Sequence, residues 1–120
     1  MNPQDLLLRT RAFALRCIKL TSTLPREPSA DVIARQLVRC GTSVGANYRS
    51  AQRAKSKKAF LYKLGVVEEE ADECGYWIEL LSESGLVKPT MLEPLRQEAS
   101  EITAIMVASI LRARRNDDQK

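Results

Sequence analysis

Apolar residues recur along most of this chain at alternating intervals of four and three. Leu6, Thr10, Phe13, Cys17, Leu20 and Leu24 open the pattern. Such spacing places the side chains on one face of an α-helix. It predicts a first helix over about 5–24, closed by Pro25 and Pro28, because the residue before a proline avoids helical geometry. A second helix is expected over about 30–55. Ser29 is a good N-cap and Asp31 suits the positive helix start. At about 100° per residue, Ile33, Leu37, Cys40, Val44, Tyr48 and Ala51 share one side. Gly41 and Gly45 lie on its flank, compatible with one unbroken helix.

The third helix is expected over 57–84. Phe60, Leu64, Val67, Ala71, Cys74, Ile78 and Leu81 form a heptad seam, and Gly85 supplies the C-cap. The fourth is expected over 91–114, with Thr90 and Glu93 as a capping box and Pro94 tolerated in the first turn. Leu95, Ala99, Ile102, Met106 and Ser109 continue its core face, and the polar tail Asn116–Lys120 is expected to fray. No segment alternates with period two. Four amphipathic helices joined by short turns predict an all-α, up-down-up-down four-helix bundle, one domain over 1–120.

Composition narrows the chemistry. There is no histidine, which removes the commonest general base and the Glu-x-x-His unit of di-iron bundles. Cys17, Cys40 and Cys74 all fall on core faces, so they read as small buried hydrophobes and not as a zinc site. The glutamates near Glu70 mostly sit off the seam, and Ser43 and Ser50 have no base to activate them. No catalytic, cofactor or metal site is expected, and the protein is not read as an enzyme. An odd cysteine count without a CxxC spacing fits a reducing compartment. With no signal peptide and no membrane-length apolar run, the expected location is the cytoplasm.

Charge changes the picture more than its small net excess suggests. From Val32 to Val67 there are eight basic residues and no acid, and from Leu64 to Val87 there are seven acids and no base. Arg35, Arg39, Arg49 and Arg53 fall opposite the core on one stripe, roughly 27 Å long. Lys55, Lys57 and Lys58 add a basic corner at the next turn. Such an array suits a phosphate backbone, while the absence of aromatics on the stripe disfavours sequence-specific single-strand readout. The bland reading is a pair of solvated, oppositely charged faces.

Tyr62, Val66, Trp77 and Leu80, with Glu70 and Glu73 interspersed, form a second flank on the third helix. This is either a well-buried edge of the bundle or a subunit interface, where Trp and Tyr are common anchors. The Gly41–Gly45 pair calls for another backbone close by, within the chain or from a second copy, since an interior glycine costs a helix about 1 kcal/mol. A phosphate loop is excluded, because GTSVG lacks the P-loop form and no strand precedes it.

Three segments together carry a resemblance: GTSVGANY (41–48), SKKAFL (56–61) and EADECGYWI (70–78). The run from Ile33 to Gly85 resembles the four-helix bundle proteins called 23S rRNA intervening sequence proteins. Cys40 stands where serine is frequent and Ser50 where glutamate is frequent, which makes this helix more basic. The resemblance implies a bacterial bundle that assembles into a ring-like homopentamer, without enzymatic activity. It extends to basic pentameric accessory proteins of diversity-generating retroelements, which bind nucleic acid and a reverse transcriptase. The expected partners are therefore further copies of the chain and either RNA or DNA. The alternative is a protein-interaction scaffold that binds no nucleic acid.

Overall fold

The computed structural model describes residues 1–118. They form four helices: α1 (Pro3–Thr21), α2 (Pro28–Gln52), α3 (Lys57–Glu83) and α4 (Pro89–Asp118). Consecutive helices pack side by side, and α4 returns to α1 along a sparser edge, while the backbones of the diagonal pairs stay apart. This is the up-down-up-down bundle, 53 Å long and 22 × 21 Å across. The start of α1, the end of α2, the start of α3 and the end of α4 therefore share one end of the rod.

The helix termini differ from the sequence expectation for local reasons. Helix α1 starts two residues earlier because Asn2 is its N-cap. The Asn2 side chain accepts from the Asp5 amide and Asp5 accepts from the Asn2 amide, a reciprocal capping box. Helix α2 begins at Pro28, whose fixed φ suits the first helical position. Its N-cap is Glu27 and not Ser29, and no side chain caps it. Ser56 caps α3, accepting from the Ala59 amide, and Gly85 follows the helix with φ 78°, the left-handed geometry that favours glycine.

Helix α4 is longer than expected at both ends. It starts at Pro89, so Pro94 lies beyond the first turn and removes an interior hydrogen bond. Glu93 does not close a capping box, because its carboxylate accepts from Arg96 at 2.5 and 2.9 Å. The helix runs on through Asn116 to Asp118; Gln119 and Lys120 lie outside the described residues.

The core holds the predicted faces of all four helices. Phe13, Leu37, Leu64, Ile78, Leu81, Ile102 and Met106 are almost wholly buried, each worth about 1.5–3 kcal/mol of transfer free energy. Helix α4 turns its last core contact to Ile110 and not to Ser109, whose hydroxyl donates to the Ile105 carbonyl. The buried Thr10 hydroxyl donates to the Leu6 carbonyl at 2.8 Å. Among the described residues no buried side-chain N or O lacks a partner.

The α1–α2 contact is close for a reason visible in GTSVG. A Cβ on Gly41 would stand 2.7 Å from Cys17 Sγ and 2.9 Å from its Cβ. A Cβ on Gly45 would stand 3.3–3.4 Å from Thr10. Both glycines make room within the chain for the approach of α1. Gly41 is buried and presents no surface to a second subunit.

Candidate nucleic-acid interface

The arginine stripe of α2 is not uniform. Arg39 leans towards α3, where it donates to Glu70 at 3.2 Å and to Glu73. Desolvation works against its charge, but Glu73 and Glu70 outweigh that and hold its pKa above the ordinary arginine value. Glu73 also accepts from Trp77 Nε1 at 2.9 Å. Trp77 is half-buried against the core, with Leu80 beside it, whereas Tyr62 is 69% exposed. The second flank of α3 is thus mixed. Its Glu70–Glu73–Trp77 part is engaged by Arg39 of the same chain, Val66 is half-buried, and Tyr62 stands in solvent.

The remaining stripe arginines are differently placed. Arg35, Arg49, Arg53, Lys55 and Lys58 are exposed, and none makes an ion pair among the described residues. Lys57 is half-buried at the head of α3. Arg49 and Arg53 border a groove of about 650 Å³ between α1 and α2, whose other wall carries Arg11 and Leu8.

The α2–α3 turn also has a neighbour that the stripe did not reveal. A shallow cleft there is lined by Lys55, Lys57 and Phe60 together with Ala113 and Asn116 of α4. The last turns of α4 therefore bring Arg112, Arg114 and Arg115 to the same end of the rod. These three were missed because they lie far from the stripe in sequence. The signal was present all the same: a run of arginines at the end of α4, and a topology that returns this end to the α2–α3 turn.

The opposite charge is concentrated on α3. Glu68, Glu69 and Asp72 border grooves on its α4 side and form no ion pair among the described residues. Among these residues the exposed basic side chains without ion pairs gather towards one end of α2 and its turn into α3, and the carboxylates without ion pairs lie along α3.

The interior offers little reactivity. Cys17, Cys40 and Cys74 meet in the core, with the Cys74 thiol 3.1 Å from Cys40 Sγ. Hydrogen bonding with Cys17 and Cys40, then burial, pushes the Cys74 thiol far above its ordinary pKa, so it stays protonated. Burial likewise raises Tyr48. Among the described residues no group of three or more His, Cys, Asp or Glu side chains is arranged to hold a metal ion, and no helix is long and apolar enough to cross a membrane.

Comparison with known proteins places this architecture. A crystal structure from Bacteroides thetaiotaomicron VPI-5482, a protein of unknown function from the S23 ribosomal protein family, superposes with a TM-score of 0.85. It shares 32% sequence identity over 92% of this chain and 98% of that one. No curated protein matches. The family model for the 23S rRNA-intervening sequence protein matches residues 4–108, and the chain belongs to that family.

Proposed function

We propose that the protein is a non-enzymatic, homo-oligomeric bundle whose basic end binds the phosphate backbone of RNA or DNA. One observation carries the reading. Arg49, Arg53, Lys55 and Lys58 stand exposed without carboxylate partners at the end where α4 brings Arg112, Arg114 and Arg115. A cluster of unpaired cations raises the local potential and is relieved by a polyanion, which releases its own condensed counterions on binding. No aromatic side chain lies between Arg49 and Lys58, so the contact is with backbone and not with sequence.

Binding of duplex and single-stranded RNA, followed by fluorescence anisotropy across a salt series, tests this. Affinity falls as salt rises, with a slope of about 0.9 per phosphate neutralised on a duplex. The triple change Arg49→Ala, Arg53→Ala and Lys58→Ala lowers that slope and weakens all sequences alike. Arg39→Ala leaves it nearly unchanged, because Arg39 is occupied by Glu70 and Glu73. Absence of binding at low salt by the assembled protein defeats the proposal.

The rival reading, a scaffold that binds only proteins, has its own support in Arg39. Arg39 already holds a pair of carboxylates, Glu70 and Glu73. Charge reversal at Arg49 and Arg53 separates the two. Loss of assembly with no effect on nucleic acid favours the scaffold; loss of nucleic-acid binding by an intact assembly favours the phosphate surface.

A further inference from the structure

Helix α1 is apolar on two opposite faces. Its inner face is the core seam, and its outer face carries Leu8, Leu15 and Ile18, exposed by 61, 59 and 44%. With Arg11 between them, these positions repeat at intervals of three, four and three, the spacing of a second heptad ridge that nothing in the chain covers. A lone bundle needs only one apolar stripe per helix.

The groove between α3 and α4 has the complementary form. Its floor is open at Gly65 and Gly75, where an added Cβ would meet nothing within 4 Å. Val107 and Leu111 line it beside Gly65, and Ser100 and Ala104 beside Gly75. Both of these apolar side chains are substantially exposed, at 40 and 52%. The charges also match. Arg11, Arg16 and Lys19 on α1 and Glu68, Glu69 and Asp72 on α3 make no ion pairs among the described residues.

The register agrees as well. Gly41 lies between Cys17 of α1 and Cys74 of α3, its Cβ position 2.7 and 4.0 Å from their Sγ atoms. Those two cysteines therefore lie at one level along the rod, an offset of 57 positions (74 − 17). Helices α1 and α3 run in the same direction, so Leu8 lies level with Gly65, Arg11 with Glu68 and Ile18 with Gly75. Leu8–Ile18 and Gly65–Gly75 both span about 15 Å. A rotation about an axis parallel to the rod preserves these levels. It delivers Leu8 and Ile18 of one copy opposite the missing side chains of Gly65 and Gly75 in the next, with Leu15 between them at the level of Asp72.

We infer that the α1 ridge of one copy docks in the α3–α4 groove of another copy, as a repeated head-to-tail interface. This rests on the assembly half of the proposed function and names its surface. Because ridge and groove are different surfaces, the contact is heterologous. Because they share one level, successive copies gain no rise, and the series closes into a ring and does not climb into a fibre.

Mass measured by light scattering tests it. Leu15→Asp breaks the ridge and Gly75→Trp fills the groove. Each is expected to reduce the wild-type oligomer to single chains with helical circular dichroism unchanged. Mixed in equal amounts, the two variants are expected to give the mass of two chains, since one intact ridge then faces one intact groove. Independently, the pair Leu8→Cys and Gly65→Cys in one chain is expected to yield disulfide-linked multimers on mild oxidation, while either single change yields none.

A single-chain mass for the wild type at high micromolar concentration defeats assembly itself. An oligomer that survives both Leu15→Asp and Gly75→Trp, a mixture that stays monomeric, or a double-cysteine variant that forms no links leaves assembly standing and overturns this interface.

Discussion

Gly41 and Gly45 of α2 and Gly65 and Gly75 of α3 sit in long helices and meet opposite surroundings. A side chain at Gly41 would collide with Cys17, and one at Gly45 would press on Thr10. A side chain at Gly65 or Gly75 would touch nothing. Each glycine weakens its helix by about the same amount, about 1 kcal/mol relative to alanine. In α2 that loss is offset within the chain, by the close approach of α1. In α3 nothing in the chain offsets it. A glycine in a helix thus marks a close contact only where something arrives to use the space, as α1 does at Gly41 and Gly45.

The largest effect that can break this comparison comes from Gly41→Val. Cys17 Sγ and Cβ are both close to their own backbone, so the neighbour cannot swing away and α1 must shift. The expected loss is about 3 kcal/mol, roughly 10 °C in Tm. An unchanged Tm would show that α1 and α2 are not in tight contact. Next comes the other edge of α1, which charge and not shape holds to α4. Arg9 donates to Glu98 at 2.6 and 2.8 Å and to Glu101 at 3.0 Å, with the Arg9 and Glu98 side chains only 21 and 16% exposed. The hydrogen bond to Glu98 outweighs desolvation and raises the Arg9 pKa further. Arg9→Ala leaves Glu98 without its partner and is expected to cost about 1–2 kcal/mol. A thermal melt of Arg9→Ala, Glu98→Ala and the double variant measures the coupling; additive losses would deny it.

Smaller and opposite in sign is the effect of Gly65→Ala and Gly75→Ala. Measured in the Leu15→Asp background, so that assembly does not contribute, each is expected to stabilise the fold by about 0.5–1 kcal/mol. A loss at either position would mean that the groove is closed by something in the same chain.

The bundle was legible because its signal is repeated in every helix. Five to seven core positions per helix, spaced by four and three, leave little freedom in which face turns inward. The termini were less legible, because a cap depends on one residue: Asn2 extends α1 and Pro28 displaces Ser29 as the start of α2. The surface was legible only in part. The wheel correctly put Arg39 away from the core, but its tilt towards α3 matters only once Glu70 and Glu73 are seen one helical turn apart on the facing helix. The Gly41–Gly45 spacing announced a close contact without saying with what, since Cys17 and Thr10 are distant in sequence. Arg112, Arg114 and Arg115 join the basic end through topology alone. What was missed is what depends on two elements at once.

The two edges of α1 should also differ in their response to acid, and this is the smallest expected effect. The α1–α2 contact joins Gly41 to Cys17 and Gly45 to Thr10, with no group that titrates in the acid range. The α1–α4 edge depends on ionised carboxylates. Hydrogen bonds from Arg9 and then from Gln97 hold the Glu101 pKa below its ordinary value of 4.5. A carboxylate with a depressed folded pKa binds its proton more weakly when folded than when unfolded. Its contribution to stability is therefore complete above 4.5 and disappears as pH falls through the lower, folded value. Glu101→Gln removes this contribution, so the wild type and the variant are expected to differ in Tm near neutrality and to converge once pH has fallen below the folded value. Glu101 is exposed and solvent screens the pair, which limits the difference to the small range of surface ion pairs. Gly41→Val, by contrast, is expected to lower Tm by the same amount at both pH values. Parallel wild-type and Glu101→Gln profiles down to low pH would show that shape, and not charge, holds α1 to α4 as well.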